Sequence, residues 1–339
     1  MTAGTGSANR VAVIGAGSWG TALAMVAARN QLDVTLWARE PEVALEINRT
    51  HRNPFYLSDF ELPKNLRATT ALEDAIDGAD FALLVVPSHA MREIATQLGP
   101  GLKNETVLVN AAKGVENNTL MRMEEVVADV LRERFVPRYA TLSGPSFALE
   151  VAKGDPTAIV AASSDRAASE LIQRSLSSSS FRVYTNTDVV GVELGGAVKN
   201  VVAIAAGVVR GLGFGTNAVA AIITRGLAEM TRLALTQGAR AETMAGLAGL
   251  GDLVLTCTGE LSRNRYVGIE LGRGRKLAEI LGEMREVAEG VKTTRSVYEL
   301  GKRLGIEMPI TANIYALLYQ DKPAIEAASE LMGRPLKRE

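Results

Sequence analysis

The chain has 339 residues, and its 37 lysines and arginines nearly balance 38 aspartates and glutamates, which leaves a formal net charge of −1. So small a charge gives no general attraction to nucleic acid or to a membrane surface, and any anion site must therefore be local. The length allows two domains with a large core. The single cysteine, Cys257, excludes an intrachain disulfide and is consistent with a reducing compartment.

Targeting and membrane signals are weak in this sequence. The opening MTAGTGSAN lacks the basic segment and apolar core of a signal peptide, so a cytoplasmic protein is expected. The longest apolar run, residues 201–209, is shorter than the roughly 20 residues that cross a bilayer, and no membrane insertion is expected. The two histidines, His51 and His89, stand far apart without metal-ligand companions, so no metal site is predicted.

The first motif is a glycine turn between a strand and a helix. A β-branched run at residues 11–14 meets GAGSWG at residues 15–20, and apolar residues then recur at helical spacing. In this context Gly15 permits the tight turn, Gly17 the close approach of a pyrophosphate, and Gly20 the packing of helix on strand. The pattern predicts a dinucleotide-binding turn, and a glycine turn without a ligand is the alternative.

The residue after the second predicted strand, residues 33–38, bears on cofactor choice. An acidic residue here would hold the ribose hydroxyls of NAD, but this chain has Arg39, which favours the 2′-phosphate of NADP. Glu40 follows at once and opposes that preference. We expect NADPH/NADP to be favoured and NADH/NAD to be possible. A solvated charge at a strand end is the alternative interpretation of Arg39.

Further strands at residues 80–86, 105–110, 139–143, 157–161 and 181–184 alternate with helical segments. This order predicts an α/β domain, a Rossmann-like doubly wound sheet, over residues 1–187. Lys113 follows one of these strands at the carboxyl edge of the sheet, where ligands of such folds bind. A turn lysine in water is the alternative for Lys113.

Beyond residue 187 helical patterns replace strands, which predicts an all-α C-terminal domain over residues 188–339. Lys199 and Asn200 lie in the middle of its first, apolar and glycine-rich helix. Burial lowers the pKa of a lysine, and a lysine with a pKa near neutrality can donate and accept protons on a carbonyl or alcohol. The alternative is a lysine whose long stem reaches the surface.

Two later stretches carry polar groups at helix starts. Asp252 follows the glycines of GLAGLGD, and Thr256 lies four residues on, hence on the same helix face. Ser262, Arg263 and Asn264 precede another helical pattern, where a hydroxyl, a guanidinium and an amide make a phosphate cradle. Simple helix caps with exposed arginines are the alternative.

Six motifs together resemble the bacterial-type NAD(P)-dependent glycerol-3-phosphate dehydrogenases. They are GAGSWGTALA, NAAKG, LSGPSFA, GVELGGAVKN, GLAGLGDLVLTC and LSRNR, in the order in which that family has them. The resemblance implies reversible reduction of dihydroxyacetone phosphate, a small phosphorylated substrate, to sn-glycerol 3-phosphate, which supplies glycerophospholipid synthesis. It also implies that Lys199 is the proton donor and acceptor.

The resemblance implies three sets of site residues. Those around the reacting oxygens are Lys199, Lys113, Asn200, Asp252 and Thr256. Those that hold the substrate are Lys113, Gly144, Ser146, Lys199, Asp252, Ser262, Arg263 and Asn264. Those that contact the cofactor are Gly15, Gly17, Ser18, Trp19, Gly20, Arg39, Tyr56, Lys113, Ala148, Arg263, Val287 and Glu289.

Two other functions stay open at this point. One is a hydroxyacid or sugar-acid dehydrogenase of the same two-domain plan, and the other is a non-catalytic NADP-binding protein. A homodimer is expected because the second half is rich in apolar helices, and no nucleic-acid partner is expected.

Overall fold

The protein is described by a computed structural model, which covers residues 9–284 and 288–336. Within those residues one mixed sheet has eight strands. They are β1 (Arg10–Ile14), β2 (Asp33–Trp37), β3 (Leu66–Thr69), β4 (Phe81–Leu84), β5 (Val107–Asn110), β6 (Arg138–Ser143), β7 (Thr157–Ala162) and β8 (Phe181–Asn186).

The helices of the first half connect these strands. They are α1 (Ser18–Arg29), α2 (Pro41–Thr50), α3 (Leu72–Ile76), α4 (Met91–Leu98), α5 (Met123–Leu131), α6 (Ala148–Lys153) and α7 (Arg166–Leu176). The second half is helical in its described residues. Its helices are α8 (Val189–Gly211), α9 (Thr216–Thr236), α10 (Ala241–Ala245), α11 (Asp252–Thr258), α12 (Arg263–Gly272), α13 (Leu277–Glu283), α14 (Glu289–Arg303), α15 (Pro309–Tyr319) and α16 (Ala324–Met332).

The sheet has the strand order β3-β2-β1-β4-β5-β6-β7-β8. The chain adds β2 and β3 on one side of β1 and then β4 to β8 on the other side. All neighbours are parallel except β6 and β7, which are antiparallel. The predicted doubly wound fold is confirmed. The sequence analysis did not predict β3, because its four residues include the exposed Arg67 and too short an alternation to signal a strand.

The strands β1, β4 and β5 read as continuous apolar runs because both faces of the sheet are covered. Their side chains join those of α1 in one buried core that includes Val13, Leu23, Phe81 and Val109. This core fixes the carboxyl ends of β1 and β2, where the glycine turn and Arg39 follow.

The second half packs around α8. Glycines bring α8 against α12, since a Cβ at Gly207 would lie 2.8 Å from the Cα of Gly268 and one at Gly211 2.9 Å from the Cα of Gly272. Among the described residues α8 is also the helix long and apolar enough to cross a membrane, but 94% of the relevant window is buried inside the protein. That degree of burial is typical of a core helix.

The chain divides into two compact units. The first holds the chain up to Ala112 together with Met123–Val189, and the second holds Lys113–Arg122 and the chain from Val190 onward. Ten residues between β5 and α5 therefore belong to the second unit. Lys113 is the first of them.

Candidate active site

Lys199 and Asn200 lie on α8 with only 5% and 3% of their surfaces exposed. The expectation that neighbouring helices would bury this lysine is confirmed, and the alternative of a side chain that reaches the surface is excluded. Lys199 Nζ donates to the carboxylate of Asp252 and, over 2.7 Å, to Thr256 Oγ1. The buried ammonium is therefore paired and hydrogen-bonded, as its burial requires.

Glycine residues let the backbone before α11 approach α8 closely, and Asp252 thereby lies next to Lys199. A Cβ at Gly195 of α8 would lie 2.6 Å from the carbonyl oxygen of Ala248, so the backbone before α11 lies directly on α8. A π-helical turn, Leu247–Gly251, leads into α11, which starts at Asp252. Thr256 follows one turn later, as the four-residue spacing predicts, and its hydroxyl donates to the backbone oxygen of Asp252 over 2.6 Å.

Lys113 completes a cluster of three charges. Its Nζ donates to Asp252 Oδ2 over 2.6 Å, while Lys199 holds Oδ1 of the same carboxylate. Lys113 keeps 16% of its side chain exposed and Asp252 only 1%. The interpretation of Lys113 as a turn lysine in water is therefore wrong.

The environment sets the protonation of this cluster. Burial lowers the pKa of Lys199 from 10.5 to about 8; Asp252 opposes that fall and Lys113 adds to it. Burial raises the pKa of Asp252, but the Lys113 and Lys199 ammonium groups outweigh it and hold that pKa below its ordinary value. A lysine with a pKa near 8 can exchange protons at neutral pH.

Asn264 holds Asn200 in one orientation. The backbone N–H of Gly290 donates to Asn264 Oδ1 over 2.9 Å, and Asn264 Nδ2 donates to Asn200 Oδ1 over 3.0 Å. Because a backbone N–H can only donate, it fixes which end of the Asn264 amide faces Asn200. The Asn264 side chain thus links α8, α12 and α14, a role that its expected place in a phosphate cradle did not include.

Ser262 and Arg263 lie where the sequence predicts, at the start of α12. Ser262 is buried and caps the helix, since its Oγ accepts the backbone N–H of Arg265 over 3.2 Å. Arg263 is the first helical residue and is exposed. The capped-helix interpretation holds for Ser262, and it leaves the helix N-terminus and the Arg263 guanidinium able to meet an anion.

The glycine turn of the first unit has the geometry that a dinucleotide needs. Gly15 has φ +121° and a Cβ there would lie 2.5 Å from the carbonyl oxygen of Val85, while a Cβ at Gly20 would lie 1.8 Å from that of Gly15. A Cβ at Gly17 would meet nothing within 4 Å. Trp19 has a buried indole Nε1 with no hydrogen-bond partner among the described residues. These residues fit a bound dinucleotide.

Four further expected cofactor contacts lie in the same unit. Arg39 follows β2 with 81% of its side chain exposed, and its Nε and Nη2 donate to Glu40 Oε1 over 2.9 and 2.7 Å. Ser18 and Ala148 are the first residues of α1 and α6. Tyr56 lies in the loop after α2.

Asn53, which the sequence analysis missed, ties that loop to the glycine turn. Its Nδ2 donates to the backbone oxygen of Ala16 over 2.9 Å and to Thr21 Oγ1 over 3.0 Å, and its Oδ1 accepts the N–H of Tyr56 over 3.1 Å. Asn53 is fully buried. The signal in the sequence was the Asn-Pro pair after α2, which predicts a turn but not its partner.

The expected substrate contacts Gly144 and Ser146 lie in the turn after β6. Gly144 follows β6 with φ +147°, and Ser146 Oγ donates to the backbone oxygen of Gly144 over 3.0 Å. Glu289 opens α14 in the second unit. Val287 lies outside the described residues. The structure thus brings Lys113, Lys199, Asp252 and Thr256 together directly, and Asn200 and Asn264 beside them.

A dinucleotide turn on a doubly wound sheet and a buried lysine with a pKa near neutrality in a helical unit define a nicotinamide-nucleotide dehydrogenase of the two-domain class. Two family models match the chain, described as NAD-dependent glycerol-3-phosphate dehydrogenase N-terminus over residues 10–169 and C-terminus over residues 188–329. The chain belongs to the NAD(P)-dependent glycerol-3-phosphate dehydrogenase family, whose members reduce dihydroxyacetone phosphate to glycerol 3-phosphate.

Individual relatives agree over nearly the whole chain. Glycerol-3-phosphate dehydrogenase (NAD(P)+) of Geobacter sulfurreducens is 58% identical over 97% of this chain and 98% of its own length. The crystal structure of glycerol-3-phosphate dehydrogenase from Coxiella burnetii superposes with a TM-score of 0.91 at 41% identity, covering 96% of this chain and 99% of that one. The structure of the yeast glycerol-3-phosphate dehydrogenase superposes with a TM-score of 0.82 at 28% identity, covering 96% of this chain and 99% of that one.

Proposed function

We propose that this chain catalyses the reversible NAD(P)H-dependent reduction of dihydroxyacetone phosphate to sn-glycerol 3-phosphate, supplying glycerophospholipid synthesis, with Lys199 as the proton donor and acceptor. The observation that carries the proposal is the buried Lys199, whose Nζ is bonded to Asp252 and Thr256 and whose pKa is lowered to about 8. The family membership supplies the substrate.

The proton chemistry follows from that pKa. At neutral pH Lys199 is mostly an ammonium, so it can give a proton to the oxygen of a carbonyl that becomes an alcohol. In the reverse direction the neutral amine takes the proton from the alcohol. Bound NADPH or NADH would supply the hydride to the carbonyl carbon in reduction, and NADP+ or NAD+ would accept it in the reverse direction, so atoms and electrons balance both ways.

The neighbours of Lys199 have distinct tasks in this proposal. Asp252 and Thr256 hold the Nζ in place by accepting two of its three protons, which leaves the third for the substrate. Lys113 stabilises negative charge that develops on the substrate oxygen and lowers the pKa of Lys199. Asn200 contributes an amide whose orientation Asn264 fixes.

Substrate binding rests on complementary charge. A phosphate dianion fits the N-terminus of α12 because backbone N–H groups and the exposed Arg263 present positive charge there. We propose Gly144 and Ser146 as further substrate contacts, and Ser262 holds the start of α12 in shape.

Cofactor binding rests on the first unit. The turn at Gly15, Gly17 and Gly20 would hold the pyrophosphate with the N-terminus of α1, whose first residues are Ser18 and Trp19. Arg39 would meet the 2′-phosphate of NADP, so NADPH is favoured, while its pairing with Glu40 leaves NADH possible. We propose further contacts from Tyr56, Lys113, Ala148, Arg263, Val287 and Glu289.

We also propose that the protein is a cytoplasmic homodimer without nucleic-acid partner or membrane insertion. The near-zero net charge and the burial of α8 support the last two points. Exposed apolar side chains in the second unit, among them Phe214, Leu235 and Leu261, support self-association. Sedimentation velocity at micromolar concentration tests the dimer, and a single monomeric species contradicts it.

One assay separates this function from the alternatives. Loss of nicotinamide absorbance should follow addition of dihydroxyacetone phosphate with NADPH and, more slowly, with NADH. Faster oxidation with 3-oxoacids, the oxidised forms of 3-hydroxyacids, would favour the hydroxyacid dehydrogenase. Absence of oxidation with any phosphorylated ketone would favour a non-catalytic binding protein.

A further inference from the structure

The Lys113 loop, residues 113–122, is closed on itself at its two ends. Val115 and Arg122 form an antiparallel β-bridge, and the N–H of Glu116 donates to the backbone oxygen of Met121 over 2.9 Å. The loop therefore moves as one piece, and the position of Arg122 constrains that of Lys113, two residues before the bridge. Any contact that anchors Arg122 also anchors Lys113.

Two of the contacts that hold this loop are made with α8. Val115 packs in a buried apolar cluster with Leu194 and Ala197 of α8. Arg122 Nη1 forms an ion pair with Glu193 Oε2 over 3.1 Å, and the two side chains are only 11% and 2% exposed. The ion pair is a directional contact with α8, because apolar packing alone tolerates sliding, and Arg303 Nη1 of α14 donates to the backbone oxygen of Thr119 over 3.5 Å.

Glu193 lies on the same helix as the proton donor. It precedes Lys199 by six residues, which is about 9 Å along the helix axis. A carboxylate buried on this largely apolar helix is costly unless it is paired, and apolar residues of the same size often stabilise a fold at least as well as a buried ion pair. A positional task accounts for the presence of this pair.

We propose that Arg122 and Glu193 are positioning residues for the reaction: their buried ion pair holds the Lys113 loop on α8 and thereby keeps Lys113 Nζ on Asp252. The inference rests on the proposed function, since its consequence is read from the proton that Lys199 carries. In this proposal both residues act on Lys199 through Lys113.

The consequence has a definite sign. The charged groups that act on Lys199 are Asp252 of α11 and Lys113, while Cys257 of α11 is itself influenced by Lys199, Asp252 and Arg265 of α12. If the ion pair between Arg122 and Glu193 is broken, Lys113 moves away from Asp252, and the Asp252 carboxylate then pairs with Lys199 only. Both changes favour the ammonium, so the pKa of Lys199 rises, and reduction retains activity to higher pH.

The test is the pH profile of kcat for reduction, measured on the full chain with saturating NADPH and dihydroxyacetone phosphate. The basic limb of this profile is the pH range above neutrality in which kcat falls because Lys199 loses its proton. In Glu193→Gln this limb should move upward by roughly one pH unit, the effect of removing the nearby positive charge of Lys113 from Lys199. Lys113→Met should move the limb in the same direction. Glu193→Gln in the Lys113→Met background should then move it no further, because the ion pair acts through Lys113.

Glu229→Gln is the matched control. Glu229 is also a carboxylate buried in the second unit, where it accepts the N–H groups of Ile310 and Thr311 over 2.6 and 3.2 Å. Its replacement should lower the thermal unfolding temperature and leave the limb in place. If Glu193→Gln does not fold, the double variant Arg122→Met/Glu193→Leu removes both charges together and should give the same upward shift.

The outcomes separate the two proposals. If the wild type turns over dihydroxyacetone phosphate and the folded variants show the same basic limb as the wild type, the positioning role is overturned and the proposed function stays intact. A shift that persists undiminished in the Lys113→Met background also overturns it. Absence of wild-type turnover with dihydroxyacetone phosphate overturns the proposed function and this inference with it.

Discussion

Lys199 donates to one oxygen of the Asp252 carboxylate, and the other oxygen accepts Lys113 over 2.6 Å. One buried carboxylate thus holds two ammonium groups that come from distant parts of the chain. Asp252 raises the pKa of Lys199 while Lys113 lowers it, and burial lowers it most. The value near 8 is a balance of these three influences, and each can be changed separately.

Asp252→Asn should move the basic limb of kcat for reduction to lower pH. Asp252 favours the ammonium of Lys199, so its neutral replacement lowers the pKa of Lys199 and the proton is lost earlier as pH rises. Two ammonium groups would also share a site without a counter-charge, which should cost about 3–5 kcal/mol of unfolding free energy. A pH profile and a urea titration measure the two effects, and an unmoved limb would show that Asp252 does not set the protonation of Lys199.

Asn264→Asp should lower kcat by roughly tenfold although the new side chain has the same size. The carboxylate still accepts the N–H of Gly290, but it presents a second oxygen to Asn200 Oδ1 in place of a donor. The amide of Asn200 must then reverse. Each lost buried hydrogen bond should cost about 1–3 kcal/mol of unfolding free energy. Steady-state kinetics with normal turnover would rule out the orientation that we assign to Asn200.

Glu40→Gln should raise the ratio of kcat/KM for NADPH to that for NADH by about two- to fivefold. The pair between Arg39 and Glu40 is exposed, and such pairs are worth about 0.2–1 kcal/mol, so its removal frees the guanidinium for a 2′-phosphate at small cost. Arg39→Gln should change the same ratio in the opposite direction. Initial rates with both cofactors measure the effect, and equal ratios in all three proteins would remove Arg39 from cofactor selection.

Arg263→Ala should raise the KM for dihydroxyacetone phosphate by tenfold or more, since a charge-assisted contact to phosphate is worth about 1.5–3 kcal/mol. Arg273→Ala, at the C-cap of α12 and paired with the buried Glu270, is the matched control and should leave KM unchanged. If the KM for dihydroxyacetone phosphate is unchanged in both variants, the substrate phosphate does not bind at Arg263.

Local patterns predicted the parts of this site that depend on neighbours in sequence. The glycine turn is visible because strand, GxGxxG and helix are contiguous, and the burial of Lys199 follows from the apolar residues on both sides of it. The four-residue spacing of Asp252 and Thr256 likewise put them on one helix face. These features need only the geometry of single elements.

The parts that the sequence analysis missed depend on tertiary contacts. Nothing local shows that residues 113–122 belong to the second unit, that Arg122 meets Glu193, or that Asn53 reaches the glycine turn from 37 residues away. The strand β3 was missed because four residues carry too little pattern. Polar partners that are far apart in sequence carry no periodic signal.

The most direct test of the central claim is Lys199→Ala. NADPH affinity, measured by fluorescence titration, should stay close to that of the wild type, while kcat for reduction of dihydroxyacetone phosphate should fall by about 10²- to 10⁴-fold, the usual contribution of general acid catalysis. Turnover within a few-fold of the wild type, in a variant that still binds NADPH, would contradict the assignment of the proton to Lys199.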